Sequence, residues 1–141
     1  MLLDANVLLY AVDHSSTRYE TASAWLVEAL TSGVRVGLPW QSIGAFLRIA
    51  THPRVSRHPL PAVEAWGFVE SWLALEAVWI PPTTDRTAAI LGRLLDASGV
   101  TANLVPDAML AALAIEHGVP VVSADSDFAR FPELRWVNPF V

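Results

Sequence analysis

The stretch VVSADSDFARF, residues 121–131, runs from an apolar segment into two carboxylates, Asp125 and Asp127, set one residue apart. Neighbouring anions repel, and each makes the other costlier to ionise unless positive charge offsets them. Asp4 lies in LLDANVLL, where an unpaired carboxylate among leucines is expensive. Asp107 follows Pro106 at an expected helix start, where the helix dipole favours an anion. The chain has no lysine, and no arginine is a sequence neighbour of these acids. A divalent cation is the simplest counter-charge. Mg²⁺, with Mn²⁺ as a substitute, takes a few carboxylates together with water and substrate phosphate. A cation held this way activates water and stabilises in-line displacement at a phosphodiester. Each acid also has a plainer role open to it. Asp107 fits any helix start, and Asp125 or Asp127 fits the cap of the turn before FARF. Asn6 either holds the turn after Asp4 or supports the site.

The elements must bring these acids together. Residues 1–5 read as a short buried strand, followed by a turn of helix through Val7–Tyr10. DHSS at 13–16 offers caps for a helix whose Ala22, Trp25, Leu26, Ala29 and Leu30 share one face, with Gly33 ending it. VRVGL at 34–38 alternates like a strand. QSIGAFLRIAT then puts Ile43, Phe46, Leu47 and Ala50 on one helical face, and His52-Pro53 stops it. A helix over 61–76 carries Trp66 and Trp72, and AVWI at 77–80 is a strand. Thr84 or Asp85 caps a helix running to Gly99. From Pro106, a helix with Met109, Leu110, Leu113 and Ala114 buried runs to Gly118. VPVVSA at 119–124 and LRWV at 134–137 complete the strands. Strands alternating with helices predict an α/β fold, a central mostly parallel sheet flanked by helices. Asp4, Asp125 and Asp127 then fall just after strands, at the edge where open parallel sheets bind ligands.

Composition sets the outer limits. The 141 residues fit a single domain, 1–141, and 53% hydrophobic residues exceed a disordered composition. The absence of cysteine excludes disulfides and thiolate metal sites and agrees with a cytoplasmic location. No apolar run approaches the length of a membrane span, and the start, with Asp4 and no basic leader, is a poor signal peptide. The net charge of −5 argues against a simple nucleic-acid binder, which is usually basic. All nine basic residues are arginine, which suits phosphate recognition but is also what a GC-rich genome encodes.

LLDANVLLYA at the start, PW…FLRIATHPRV in the middle and PDAMLAALAIEHGVPVVSADSDFARFPELRWVNP at the end resemble PIN-domain ribonucleases. More narrowly, they resemble the VapC toxins of VapBC toxin–antitoxin modules, especially an actinobacterial branch. The resemblance covers nearly the whole chain. It implies a PIN-like three-layer fold and a metal-dependent endoribonuclease that cuts structured RNA such as tRNA or rRNA. It also implies homodimers, and a VapB-like antitoxin whose tail enters the active-site groove. By this resemblance Asp4, Asp107 and Asp125 are the catalytic, metal-holding acids, Asp127 is an auxiliary metal acid, and Ser123 lines the site with Asn6 in support. One departure stands out. Relatives usually carry a glutamate where this chain has Ala45, and no acid occurs from Thr31 to Leu60. The alternative is therefore a catalytically weakened PIN domain that binds RNA or antitoxin and regulates.

RIATHPRVSRH, residues 48–58, is the most basic stretch of the chain, with Arg48, Arg54 and Arg57 beside His52 and His58. It reads either as a solvated helix end or as an RNA phosphate contact, and Arg130 is a further RNA-binding candidate. Trp25, Trp40, Trp66 and Trp72 are partner candidates or plain core. A haloacid-dehalogenase-like phosphatase would need Asp at residue 6 and a lysine, and a receiver domain would also need a lysine. The chain has neither.

Overall fold

The computed structural model describes residues 1–141. Five strands, β1 (Leu2–Leu3), β2 (Val36–Gly37), β3 (Val78–Trp79), β4 (Val121–Val122) and β5 (Trp136–Val137), form one sheet in the order β3-β2-β1-β4-β5. Every neighbouring pair is parallel. The helices are α1 (Ala5–Val12), α2 (Tyr19–Thr31), α3 (Trp40–Ala50), α4 (Ala62–Leu73), α5 (Asp85–Ala97) and α6 (Val105–His117). Short 3-10 segments occupy Ala102–Leu104 and Ser126–Arg130. No helix is long and apolar enough to cross a membrane.

Side chains alternate across a strand, so the sheet buries both faces. Leu3, Val36, Val78 and Val122 point to one side, into a core with Val7, Leu8, Leu26, Ile43, Phe46 and Trp72 from α1 to α4. Leu2 and Val121 point to the other, against Leu94 of α5, Leu110 to Ala114 of α6, Phe128 and Phe131. The result is the three-layer α/β arrangement expected from the alternation of elements.

Several expectations shift for local reasons. The expected strand over 1–5 stops at Leu3, because the Asp4 side chain accepts the Ala5 N–H at 2.7 Å and caps α1. The expected single turn at Val7–Tyr10 is thereby a full helix, Ala5–Val12. The DHSS caps do not cap α2. Asp13 Oδ1 instead accepts the Ser15 N–H and hydroxyl, which makes a turn, and α2 begins at Tyr19 with no side-chain cap. Thr84 caps α5 in a reciprocal capping box with Thr87. Met109, expected in the core, is 43% exposed. The faces of α6 that meet the sheet and α5 are Ala108 and Leu110–Ala114. Gly118 ends α6 in the left-handed region at φ 65°, as expected of a C-terminal glycine.

Gly37 marks the tightest approach in the sheet. A Cβ there would overlap the Leu2 side chain on β1 and lie 3.4 Å from the Met1 carbonyl oxygen. Gly37→Val is therefore expected to lower the unfolding free energy by about 1–3 kcal/mol, the usual range for overpacking. The urea midpoint reads this directly, and an unchanged midpoint would contradict the close-approach account.

Candidate active site

The parallel sheet puts the ends of β1 and β4 side by side, since Leu3 pairs with Val122. The next residues, Asp4 and Ser123, therefore leave the sheet together. The Asp4 N–H donates to Val122 O at 3.0 Å, and the Ser123 N–H to Val137 O at 3.0 Å. Ser123 is fully buried. Its hydroxyl donates to Asp4 Oδ2 at 2.7 Å and accepts from Asn6 Nδ2 at 2.9 Å and from the Asp125 N–H at 3.0 Å. One donor and two lone pairs are thus all used. Asn6 Nδ2 also reaches Asp4 Oδ2 at 2.9 Å, while Asn6 Oδ1 accepts the Ala124 N–H at 3.1 Å. Asn6 both holds the turn after Asp4 and ties β1 to β4.

The second group of acids forms beside this knot. Asp125 Oδ1 accepts the Asp127 N–H at 2.9 Å and so caps the 3-10 turn Ser126–Arg130. Asp107 comes from the first turn of α6. Ligand atoms of Asp107, Asp125 and Asp127 all lie within 4.8 Å of one another. Asp4 stands just outside this trio, with both carboxylate oxygens already accepting hydrogen bonds. The sequence reading put Asp4, Asp107 and Asp125 first and Asp127 in support. The tightest cluster instead has Asp127 in and Asp4 hydrogen-bonded alongside.

Electrostatics link all four. Burial raises the Asp4 carboxyl above its ordinary range, partly countered by the Ser123 and Ala5 hydrogen bonds, and the Asp125 charge raises it further. Burial, then the charges of Asp125, Asp4 and Asp127, push Asp107 up to about 6. An all-carboxylate donor set of this kind fits a hard divalent cation, and nothing soft is present to favour another metal. A cation there would offset the neighbouring charges that add to burial in raising Asp107.

The other candidates separate. Arg130 Nε lies 3.4 Å from Asp127 Oδ1, an ion pair at the edge of the cluster. Arg48, Arg54 and Arg57 are exposed at the last turn of α3 and in the loop after it. That is the far end of an 11-residue helix, about 16 Å of rise from its start. Arg57 and His58 there face Asp13, whose carboxyl is held low first by its Ser15 hydrogen bond and also by these two charges. They line a cavity of about 410 Å³ with Leu9, Tyr10 and Ile49. Ala45 is partly buried against the core, so α3 adds no acid to the site. Two contributors escaped the sequence reading. Gln41 Nε2 donates to Pro106 O at 3.1 Å and pins the start of α6. Trp136 Nε1 donates to Ser123 O at 3.0 Å. Neither carries a charge that would single it out, and only strand order and helix packing bring them here.

Residues 1–134 match the PIN domain family. The chain is 46% identical over 138 residues to the ribonuclease VapC37 of Mycobacterium tuberculosis, covering 98% of this chain and 96% of that one. This chain belongs to the VapC ribonuclease family of PIN-domain proteins. A second VapC relative, VapC33 of M. tuberculosis, is 38% identical, covering 96% of this chain and 95% of its own. Among solved structures, VapBC2 of Rickettsia felis bound to a promoter DNA fragment superposes with a TM-score of 0.71 at 16% identity, over 97% and 96% of the two chains. VapC20 of M. tuberculosis, described as a sarcin–ricin loop cleaving toxin, gives 0.64 at 18% identity over 95% and 98%. At these identities the structural matches speak for the VapC fold.

In the metal-free VapC chain, the raised Asp107 has a consequence for stability. Between the ordinary value of 3.8 and about 6 the folded chain binds more protons at this group than the unfolded chain does. Its contribution to the unfolding free energy therefore falls as pH rises from about 4 to about 6. Urea denaturation in EDTA across this range is expected to show that loss, and Asp107→Asn to reduce it. An identical pH slope in the variant would contradict the clustered-acid account.

Proposed function

We propose that this protein is a cytoplasmic, divalent-metal-dependent endoribonuclease toxin, with Mg²⁺ or Mn²⁺ held by Asp107, Asp125 and Asp127 and by Asp4 beside them. The observation that carries this reading is the convergence of three carboxylates within 4.8 Å at the carboxyl edge of a parallel sheet. The VapC relatives are named ribonucleases, which supports RNA hydrolysis as the reaction. Structured RNA such as tRNA or rRNA is the proposed substrate class. A VapB-like antitoxin is the proposed inhibitor, in keeping with structural neighbours that are VapBC complexes. A homodimer is the proposed active form.

The cation, when bound, supplies positive charge to the reacting phosphate and lowers the pKa of attacking water. Asp107, Asp125 and Asp127, with Asp4 beside them, would hold it. Ser123 and Asn6 orient Asp4 by occupying one of its oxygens, and the Asp125 N–H on Ser123 fixes the following turn. Arg130 neutralises part of the charge on Asp127. No side chain is required as general base.

A second reading draws on Ala45. The helix α3 brings no carboxylate, whereas the family resemblance implies a glutamate at that position, and the protein would then be a weakened PIN domain that binds RNA or antitoxin as a regulator.

Cleavage of total RNA by the antitoxin-free protein in Mg²⁺, Mn²⁺ and EDTA tests the nuclease reading. Discrete fragments are expected only with metal, and Asp4→Asn or Asp125→Asn should abolish them while circular dichroism stays native. Ser123→Ala, which removes an outer support, should cost about 10- to 100-fold in activity. A folded protein that cleaves nothing in either metal, and gains cleavage with Ala45→Glu, would establish the second reading instead.

A further inference from the structure

We propose that Trp40 is the base-stacking residue of the site and holds an unpaired base next to the RNA phosphate to be cut. This rests on the ribonuclease reading above. At 61% exposed, Trp40 is the most open of the tryptophans, against 38% for Trp66 and 8% for Trp72. Trp72 stacks edge-on with Phe46 and Trp79 with His117, whereas Trp40 has no ring partner. Trp136 donates its indole N–H within the fold, and Trp40 does not. The fold therefore makes little use of this ring.

Its backbone leaves the sheet at the same edge as Asp4. β2 lies beside β1 in the sheet, and the chain passes from β2 through Leu38 and the buried Pro39 into α3, whose first residue is Trp40. Pro39 presets the backbone at φ −61°. The next residue, Gln41, is bonded to the carbonyl immediately before Asp107. Trp40 thus presents an uncharged apolar ring one residue from the Gln41 side chain that reaches the start of α6, the helix that carries Asp107.

The charge distribution gives such a ring a use. Asp4, Asp107, Asp125 and Asp127 repel the phosphates of an approaching strand, and Arg48, Arg54 and Arg57 are at the opposite end of α3. Close to the acids, Arg130 is already paired with Asp127, so further affinity for RNA rests on a bound cation and on contacts that carry no charge. A base on an indole face is such a contact and is largely indifferent to base identity.

The test measures binding of a short, mixed-sequence, single-stranded RNA with Ca²⁺ in place of Mg²⁺, and kcat and KM for cleavage of the same RNA in Mg²⁺ or Mn²⁺. Trp40→Ala is expected to weaken binding about 5- to 100-fold and to raise KM comparably, with kcat nearly unchanged. Trp40→Phe should restore most of the affinity and Trp40→Leu little of it, since an aliphatic side chain replaces area but not the π face. Unchanged affinity and KM in Trp40→Ala, from a wild type that cleaves, would overturn the stacking role and leave the ribonuclease reading standing. So would equal rescue by Phe and Leu. Loss of binding to a VapB-like antitoxin, with RNA affinity intact, would assign the ring to the protein partner and overturn the proposal. A wild type that neither binds nor cleaves the RNA would remove the ribonuclease reading and this inference together.

Discussion

The rest of the site depends on a single buried hydroxyl. Ser123 gives its proton to Asp4 and takes one hydrogen bond from Asn6 and one from the Asp125 backbone. Without it, Asp4 and the turn that carries Asp125 and Asp127 would lose their common anchor. The hydroxyl ties the ends of two adjacent strands to one point, so the acids that follow each strand inherit fixed positions. Alanine at this position would leave a partly buried Asp4 oxygen with one partner fewer and the Asp125 N–H without its acceptor, and the cost of such unmade bonds exceeds the gain from making them.

The backbone makes that tie possible. In an all-parallel sheet, every strand ends at the same edge, and each following residue emerges beside its neighbour's. Asp4 and Asp125 also cap the segments they precede, α1 and the 3-10 turn, so the same carboxylates that crowd the site satisfy free backbone N–H groups. α6 adds Asp107 from its first turn, where its dipole offsets some of the repulsion. Local capping and site assembly are therefore one set of interactions.

The helix α3 divides the molecule's polar features. Its first turn reaches the acids through Gln41, its middle packs into the core through Ile43, Ala45 and Phe46, and its last turn carries Arg48 toward the basic loop. Because the arginines are a helix length from the acids, the acidic centre is left with only Arg130 close by. The cavity between α1 and the loop after α3, with Arg57 and His58 facing Asp13, is a separate chemical environment from the cluster.

Hydrophobic periodicity was enough to read the alternation of strands and helices, and hence the parallel three-layer architecture. The acids at Asp4, Asp107, Asp125 and Asp127 were legible because charge in apolar runs or beside another charge is costly and calls for a reason. The family was legible from the same residues, since DANVLL and SADSDF keep their spacing. Boundaries were less so: the helix at Ala5 begins where a cap forms, and DHSS folds on itself instead of capping α2. Met109 fits a helical face by spacing, but which faces are buried depends on where the sheet and α5 lie. Only the tertiary structure could decide that Asp127 joins the tight trio while Asp4 is hydrogen-bonded beside it, that Gln41 and Trp136 brace the site, and that Trp40 stays in solvent. Sequence specifies which residues are costly to bury or to crowd. Strand order and helix packing, which join residues more than a hundred positions apart, specify which of them meet.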